Sequence, residues 1–363
     1  FVTDDAAAVI ASDAVDIVID ATGSPAAGIA HALLCCEHRK HVVMVNVEAD
    51  VLAGPYLARK AAEAGILYSM ASGDQPALIA ELVDWARTIG LDVVCAGKGT
   101  KYLPVYHAST PETVWGHYGF SEAQVAGGDF NAQMFNSFLD GTKSALEMAA
   151  VANACDLAPP DEGLAFPPCG VDDLPHLLRP VAEGGVLPRK GMVEVVSSVE
   201  RDGRPVFRDL RWGVYAVFEA PSPYVMDCFR QYGLQTDSTG RYAAMYKPYH
   251  LIGLELGISV ASIAVRQEAT GATGEWRGDV GATAKRALKK RVAYSEGEEE
   301  RILRAAQIVV DEGIARPTLI GRPAVIAKRI EKFGLRLQEG LDYDVVNVEQ
   351  DDRYRDFWQT YHR

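Results

Sequence analysis

Short apolar runs alternating with helical stretches fill residues 16–96, and that alternation leaves few folds open. Asp16-Ile17-Val18-Ile19-Asp20 leads into the turn Ala21-Thr22-Gly23-Ser24-Pro25 and then into helical spacing over 26–38. The second run is 41–45; a helix follows over 49–64, closed by Gly65 as a C-cap. Residues 66–70 form a third run, Gly73-Asp74-Gln75-Pro76 opens a helix over 76–89, and 93–96 is a fourth run. Strands covered on both faces read as unbroken apolar runs. Their alternation with helices predicts a doubly wound parallel sheet.

The pattern then changes twice. Residues 97–130 are rich in Gly, Tyr, His and Trp and lack clean periodicity. A helix is expected over 135–154, a Pro-rich connector over 158–180, strands at 192–199, 205–210 and 215–219, and helix again over 248–266. From 290 a fresh unit starts: strand 290–294, helix 298–311 with acidic residues at its positive end and Gly313 as its cap, strand 317–320, helix 323–333. The fold class is therefore α/β. A partial Rossmann-like doubly wound parallel sheet (1–96) precedes an α+β substrate domain with an antiparallel sheet (97–280), a junction (281–289) and a partial α/β unit (290–363).

A net charge of −13 gives no general attraction to phosphate backbones or anionic lipid, so neither nucleic acid nor a membrane is an expected partner. No apolar run approaches the ~18 residues that span a bilayer, and no signal peptide is present. The cysteines at 35, 36, 95, 155, 169 and 228 form no C-x-x-C pair or zinc spacing. They read as small buried hydrophobes in a reduced, cytoplasmic protein. The chain opens at Phe1 in what reads as the middle of a fold.

Three stretches carry a resemblance. His41-Val42-Val43-Met44-Val45-Asn46 with Ser72-Gly73-Asp74-Gln75-Pro76, then Ala96-Gly97-Lys98-Gly99-Thr100-Lys101-Tyr102-Leu103, then Phe135-Asn136-Ser137-Phe138-Leu139-Asp140-Gly141-Thr142-Lys143 are similar to homoserine dehydrogenases. The likeness is to the branch with a C-terminal SAF domain, which also contains deoxyxylulose-phosphate-reductoisomerase-like enzymes of isoprenoid synthesis. It runs from residue 1 to about 288. The tail resembles the start of the phosphotransacetylase-like domain of bacterial malic enzymes. That likeness rests on Glu296-Gly297-Glu298-Glu299-Glu300-Arg301, Asp311-Glu312-Gly313-Ile314-Ala315-Arg316-Pro317 and Leu319-Ile320-Gly321-Arg322-Pro323. Acyl-transfer residues of such domains lie later, so this piece is expected to be inert as a transferase.

The resemblance implies NAD or NADP as cofactor and hydride transfer to a small anionic carbonyl compound, in a possible homodimer. It also implies that a glycine-rich phosphate loop and an SAF domain belong to the first enzyme, and neither occurs in the 363 residues. A partial join is the reading this favours. The rival reading is a non-catalytic fusion fragment. A regulatory module sensing acyl-CoA is a third idea.

Ala21, Thr22, Gly23 and Ser24 stand at the carboxyl edge of a strand, where ligands lie in open sheets; they are expected to touch the cofactor, or else to form an ordinary βα turn. Asn46 and Glu48 end the next strand, and Val47 occupies a place where homoserine dehydrogenases carry a lysine. Gly73 begins a helix whose free N–H groups suit a carboxylate or phosphate, with plain capping by Asp74 as the alternative. Lys98 and Lys101 are expected to clamp a phosphate or polarise a carbonyl, with His107 and His117 as nearby acid–base candidates. Asp140, Lys143 and Glu147 fall on one helix face by i, i+3 and i+4 spacing; the resemblance places Lys143 and Glu147 toward substrate, and a surface salt bridge is the alternative. The reductoisomerase variant calls for a divalent metal. No sharp metal motif is present, and Asp140, Glu147 and Glu81 are the carboxylates that could contribute oxygens.

Overall fold

The computed structural model describes residues 2–128, 130–270, 291–294, 297–311 and 316–347, and the chain forms two compact units, 1–280 and 281–363. In the first unit α1 (Ala6–Ile10), β1 (Ile17–Asp20), α2 (Pro25–His38), β2 (His41–Met44), α3 (Val47–Ala64) and β3 (Tyr68–Met70) build a parallel sheet of order β1-β2-β3. Ser24 caps α2 by accepting from Ala27 N, and Pro25 sits in its first turn, where a missing N–H costs nothing. Gly65, at φ 70°, closes α3 as expected. Ala32, Cys35, Val42, Met44, Leu57 and Ala61 form the core between sheet and helices.

The fourth run belongs elsewhere. α4 (Gln75–Thr88) is buried along Gln75–Ala80 and again at Leu82, Val83 and Ala86, so it needs apolar partners on nearly every side. It finds them on β4 (Asp92–Thr100), which is central in a second sheet of order β5-β4-β6-β7. Residues 93–96 are thus the first part of a longer strand of that sheet, and do not extend the first one. The other strands are β5 (Met192–Ser197), β6 (Val214–Glu219) and β7 (Tyr242–Lys247). β4 runs antiparallel to β6 but parallel to β5, so the sheet is mixed where an antiparallel one was expected. Residues 205–210 contribute only isolated bridges, Val199 with Pro205 and Gly170 with Asp209, in place of a strand.

The helices of this part are α5 (Val114–Tyr118), α6 (Glu122–Gly127), α7 (Ala132–Leu139), α8 (Thr142–Cys155), α9 (Leu174–Leu177), α10 (Pro223–Gln231) and α11 (Leu256–Ala261). The single helix expected over 135–154 is broken between α7 and α8. Gly141, at φ 93°, is the N-cap of the new helix, and just before it the Asp140 carboxylate accepts from Thr142 N at 2.8 Å. The helix expected from 248 begins only at Leu256 and runs on into a π-type turn over Ser262–Arg266. α8 packs Met148, Val151 and Ala152 against Leu78 and Val83 of α4 and Ala96 of β4.

The second unit holds β8 (Arg291–Tyr294), α12 (Glu300–Asp311), β9 (Arg316–Ile320), α13 (Pro323–Lys332) and β10 (Asp344–Val346) in a parallel sheet of order β10-β9-β8. Leu303, Ala306, Leu319, Ile326 and Ile330 are its core. Glu298 accepts from Arg322 N and from its guanidinium, which holds the carboxyl down to about 2. The junction 281–289, Glu296, the Gly313 cap and 348–363 lie outside the described residues. All six cysteines are free, and burial pushes the thiols of Cys35, Cys155 and Cys169 up to about 12. Among the described residues, no helix is long and apolar enough to cross a membrane.

Candidate active site

The turn after β1 is built around a buried carboxylate. Asp20 Oδ2 meets His31 Nδ1 at 2.7 Å, and Oδ1 accepts from Thr22 Oγ1 at 2.9 Å and from Asn46 Nδ2 at 3.4 Å. Burial opposes the charge, but the hydrogen bonds from His31, Thr22 and Asn46 outweigh it and hold the carboxyl below its ordinary range. Asn46 also donates to Ser24 O at 2.8 Å and caps α3 by accepting from Ala49 N at 3.1 Å. Thr22, Ser24 and Asn46 are therefore tied to one another, and they join the first turn to the second. Ala21 and Gly23 are exposed; Gly23, at φ 64°, has nothing within 4 Å of where a Cβ would stand. Gly73 is different. At φ 91° it lies under the Leu251 carbonyl and Glu255, 2.8 and 2.9 Å from where its Cβ would be.

Five charged side chains from four elements meet beside these turns. Lys98 of β4 forms an ion pair with Glu147 of α8, both buried. Strand alternation explains the aim: Lys98 shares the face of Ala96, which packs on α8. Gly97 and Gly99 share the opposite face, where a Cβ would stand 1.8 Å from the carbonyl oxygens of Glu194 and Leu210. Lys143, one turn before Glu147 on α8, reaches Glu48 Oε1 in the first turn of α3 at 3.4 Å. Asp74 caps α4 by accepting from Gln75 N at 2.9 Å. Burial and then the charge of Glu147 push its carboxyl up to about 7, against the pull of Lys143, the Gln75 N–H and Lys98.

The remaining candidates fall outside this cluster. The Lys101 ammonium sits 5.9 Å above the Tyr106 ring, so the two lysines of the 98–101 stretch do not act as one clamp. Asp140 does not share a helix face with Lys143 and Glu147, because the break at Gly141 puts it on α7's end. It accepts there from Asn136 Nδ2 at 2.9 Å as well as from Thr142 N. His107 Nδ1 meets Asp140 O at 2.9 Å, and His117 packs edge-on to Tyr106. Glu81 pairs with Lys247 at 3.1 Å. Asp140, Glu147 and Glu81 thus have separate partners, and no group of three or more His, Cys, Asp or Glu among the described residues could hold a metal ion.

Asp74 was visible in the sequence only as a cap. The charges of Glu147 and Lys143 that act on it come from α8, some seventy residues further on, which local spacing does not reveal.

Residues 73–256 match the family described as "Oxidoreductase DRL, catalytic domain", which is half of the chain and contains Asp74, Lys98, Lys143 and Glu147. The chain belongs to the DRL oxidoreductase family. Residues 279–363 match a second family, "Phosphate acetyl/butaryl transferase". In this tail the DRL protein is similar to the NAD-dependent malic enzyme of Rhizobium meliloti, 52% identical over 80 residues (22% of this chain, 10% of that protein). It is also similar to the NADP-dependent malic enzyme of Salmonella typhimurium, 47% identical over 74 residues (20% and 10%). The chain spans about a tenth of the length of these relatives. A chain described as a probable dehydrogenase from Thermotoga maritima aligns over 77% of this one and 78% of its own, at 13% identity and a TM-score of 0.33. The two-part organisation expected from the sequence is thereby shown: an oxidoreductase catalytic domain followed by an acetyltransferase-like segment.

Proposed function

We propose that the DRL domain reduces a small anionic carbonyl compound with a nicotinamide cofactor, in the manner of a homoserine dehydrogenase, and that the Lys98–Glu147 cluster is its substrate site. The observation that carries this is the buried Lys98–Glu147 pair beside Lys143 and Asp74. Burying an ion pair costs more solvation than folding needs to spend, so such a pair is more informative about a site than about stability.

For the cofactor, the fit is partial. The open backbone at Gly23 and the exposed Thr22 and Ser24 stand at the carboxyl edge of the parallel sheet, where a ribose or nicotinamide ring would lie. When bound, the cofactor would supply the hydride. Lys98 would donate a hydrogen bond to the substrate oxygen and stabilise the charge that develops there, in a region kept dry by α4 and α8. Glu147 fixes the Lys98 ammonium in place. Lys143, only partly buried, would exchange Glu48 for an anionic group of the substrate. Lys143 thus brings an ammonium from α8 to Glu48, the residue after Val47, where homoserine dehydrogenases carry a lysine. A reductoisomerase-like reaction is the alternative reading. It is less well supported, because Asp140, Glu147 and Glu81, the carboxylates expected to contribute oxygens, each have a separate partner.

The test is fluorescence of NADH and NADPH titrated with the 363-residue chain and with a version extended at its N-terminus by a glycine-rich phosphate turn. Binding by either, followed by oxidation of the reduced cofactor with a small keto or aldehyde acid, supports the reading. Absence of binding by both would sink it.

A further inference from the structure

We propose that Asp74 stores the proton that this reduction consumes and delivers it to the substrate oxygen. The inference rests on the functional reading above and adds a donor to it. The argument starts from pairing. The cluster contains three carboxyls, Asp74, Glu147 and Glu48, but two ammonium groups, Lys98 and Lys143. Glu147 is in contact with Lys98, and Glu48 has Lys143 at 3.4 Å. Asp74 is buried, and among the described residues it has the Gln75 N–H and no cation in ion-pair contact. With Lys98, Glu147 and Asp74 all charged, the buried part of the cluster would carry an uncompensated negative charge away from water. One proton removes it, and the group that takes the proton most cheaply is the carboxyl without an ammonium.

Every element packed around Asp74 agrees. α8 presents Lys143 and Glu147, β4 presents Lys98, and α4 offers the Gln75 N–H. The segment over Gly73 brings Glu255, whose carboxylate already accepts from Leu251 N at 3.1 Å. The turn itself is pinned, since Ser72 N donates to Ser259 Oγ at 2.8 Å. Asp74 therefore has a fixed position and a carboxyl near neutrality, pushed up to about 7 by burial and by Glu147. That suits a group which must hold a proton at rest and release it in the reaction.

The step balances. A bound reduced nicotinamide would supply the hydride for the new C–H bond at the carbonyl carbon, with the C=O π electrons moving to oxygen. The Asp74 O–H bond breaks and its proton forms the new O–H. The cofactor would leave oxidised, and Asp74, then a carboxylate, would take a proton back from solvent.

Asp74→Asn and Asp74→Ser separate this role from capping, because Asn and Ser are as good at an N-cap as Asp. Infrared difference spectroscopy across pH on the 363-residue chain reads the protonated carboxyl directly. Wild type should show a carboxyl C=O band that disappears as pH rises through about 7 and is absent in Asp74→Asn. In the form that turns over, both variants should bind reduced cofactor as wild type does. They should lose about 10²- to 10⁴-fold in kcat with little change in KM, and lose the limb of the pH profile that wild type shows. Wild-type kcat in Asp74→Asn, or a wild-type band titrating near 4, would overturn the proposal. If wild type fails to bind any nicotinamide cofactor, the reduction itself falls, and Asp74's part in it falls too, even if the band titrates as expected.

Discussion

Lys98 and Glu147, forty-nine positions apart, close a buried ion pair that fastens the central strand of the mixed sheet to α8. Both side chains have given up water, so each depends on the other. Removing one partner leaves the other buried charge without its contact partner, which costs about 3–5 kcal/mol. Glu147→Leu and Lys98→Met should each lower the unfolding free energy, measured by urea denaturation, by that much. The double change Lys98→Met with Glu147→Leu should recover most of it while leaving no activity. A double variant as unstable as the sum of the singles would mean that the pair is not energetically coupled.

The strand that aims Lys98 depends on its two glycines. A Cβ at Gly97 or Gly99 would stand 1.8 Å from the Glu194 or Leu210 carbonyl oxygen, and those are backbone atoms that cannot swing away. Gly97→Ala and Gly99→Ala should each cost at least about 3 kcal/mol or abolish folding, at the upper end of overpacking effects. Gly23→Ala has open space around it and only a left-handed φ of 64° to strain, so about 1–2 kcal/mol is expected. Chemical denaturation of the three variants should rank them in that order. If Gly23→Ala were the worst of them, the close approach at β4 would not be what these glycines are for.

The same residues show why the fold was only partly legible. The three βα units of the first sheet declare themselves because each strand is a short apolar run followed by helical spacing, with Gly65 marking the end of α3. β4 hides its second half, since Gly97 and Gly99 carry no side chain to show a period and Lys98 looks like surface. β7 is an edge strand, and its Tyr-Ala-Ala-Met-Tyr-Lys run is buried only at its start, so it lacks the apolar continuity of β5 and β6. At the site, Lys98, Lys143 and Glu147 were readable as candidates, but their pairing was not. Asp140 seemed to belong with them until Gly141 turned the chain. Asp74 escaped notice because local spacing reports a cap equally well whether the carboxylate is wet or buried.

Lys143 and Glu48 should behave unlike the deeper pair. Their side chains are 22% and 33% exposed and 3.4 Å apart, so solvent screens the interaction. Lys143→Met should change stability by less than about 1 kcal/mol. Its effect belongs to binding: with an anionic substrate, KM should rise at least about tenfold, the loss of one charged contact. A neutral substrate of the same shape should show little change. Steady-state kinetics with a keto acid and its methyl ester would check this, and equal KM increases for both would argue against an anion-binding role.

Asp74 gives the protein a pH dependence of stability whose sign can be worked out. Its carboxyl titrates at about 7 in the folded chain, against 3.8 when unfolded. The folded state therefore holds a proton that the unfolded state has already lost throughout that window. The stability this contributes is complete below pH 4 and is lost progressively as pH rises toward 7. The full difference is on the order of 4 kcal/mol for a carboxyl raised from 3.8 to about 7. Asp74→Asn keeps the cap and cannot ionise, so it has no such loss. Measured by urea unfolding, the variant should gain on wild type steadily between pH 4 and pH 7 and stay ahead by a constant amount above it. A difference between the two that does not change with pH would show that Asp74 ionises as freely in the folded chain as in the unfolded one. The charge balance of the whole cluster would then need an extra cation that the Lys98 and Lys143 pairs do not supply.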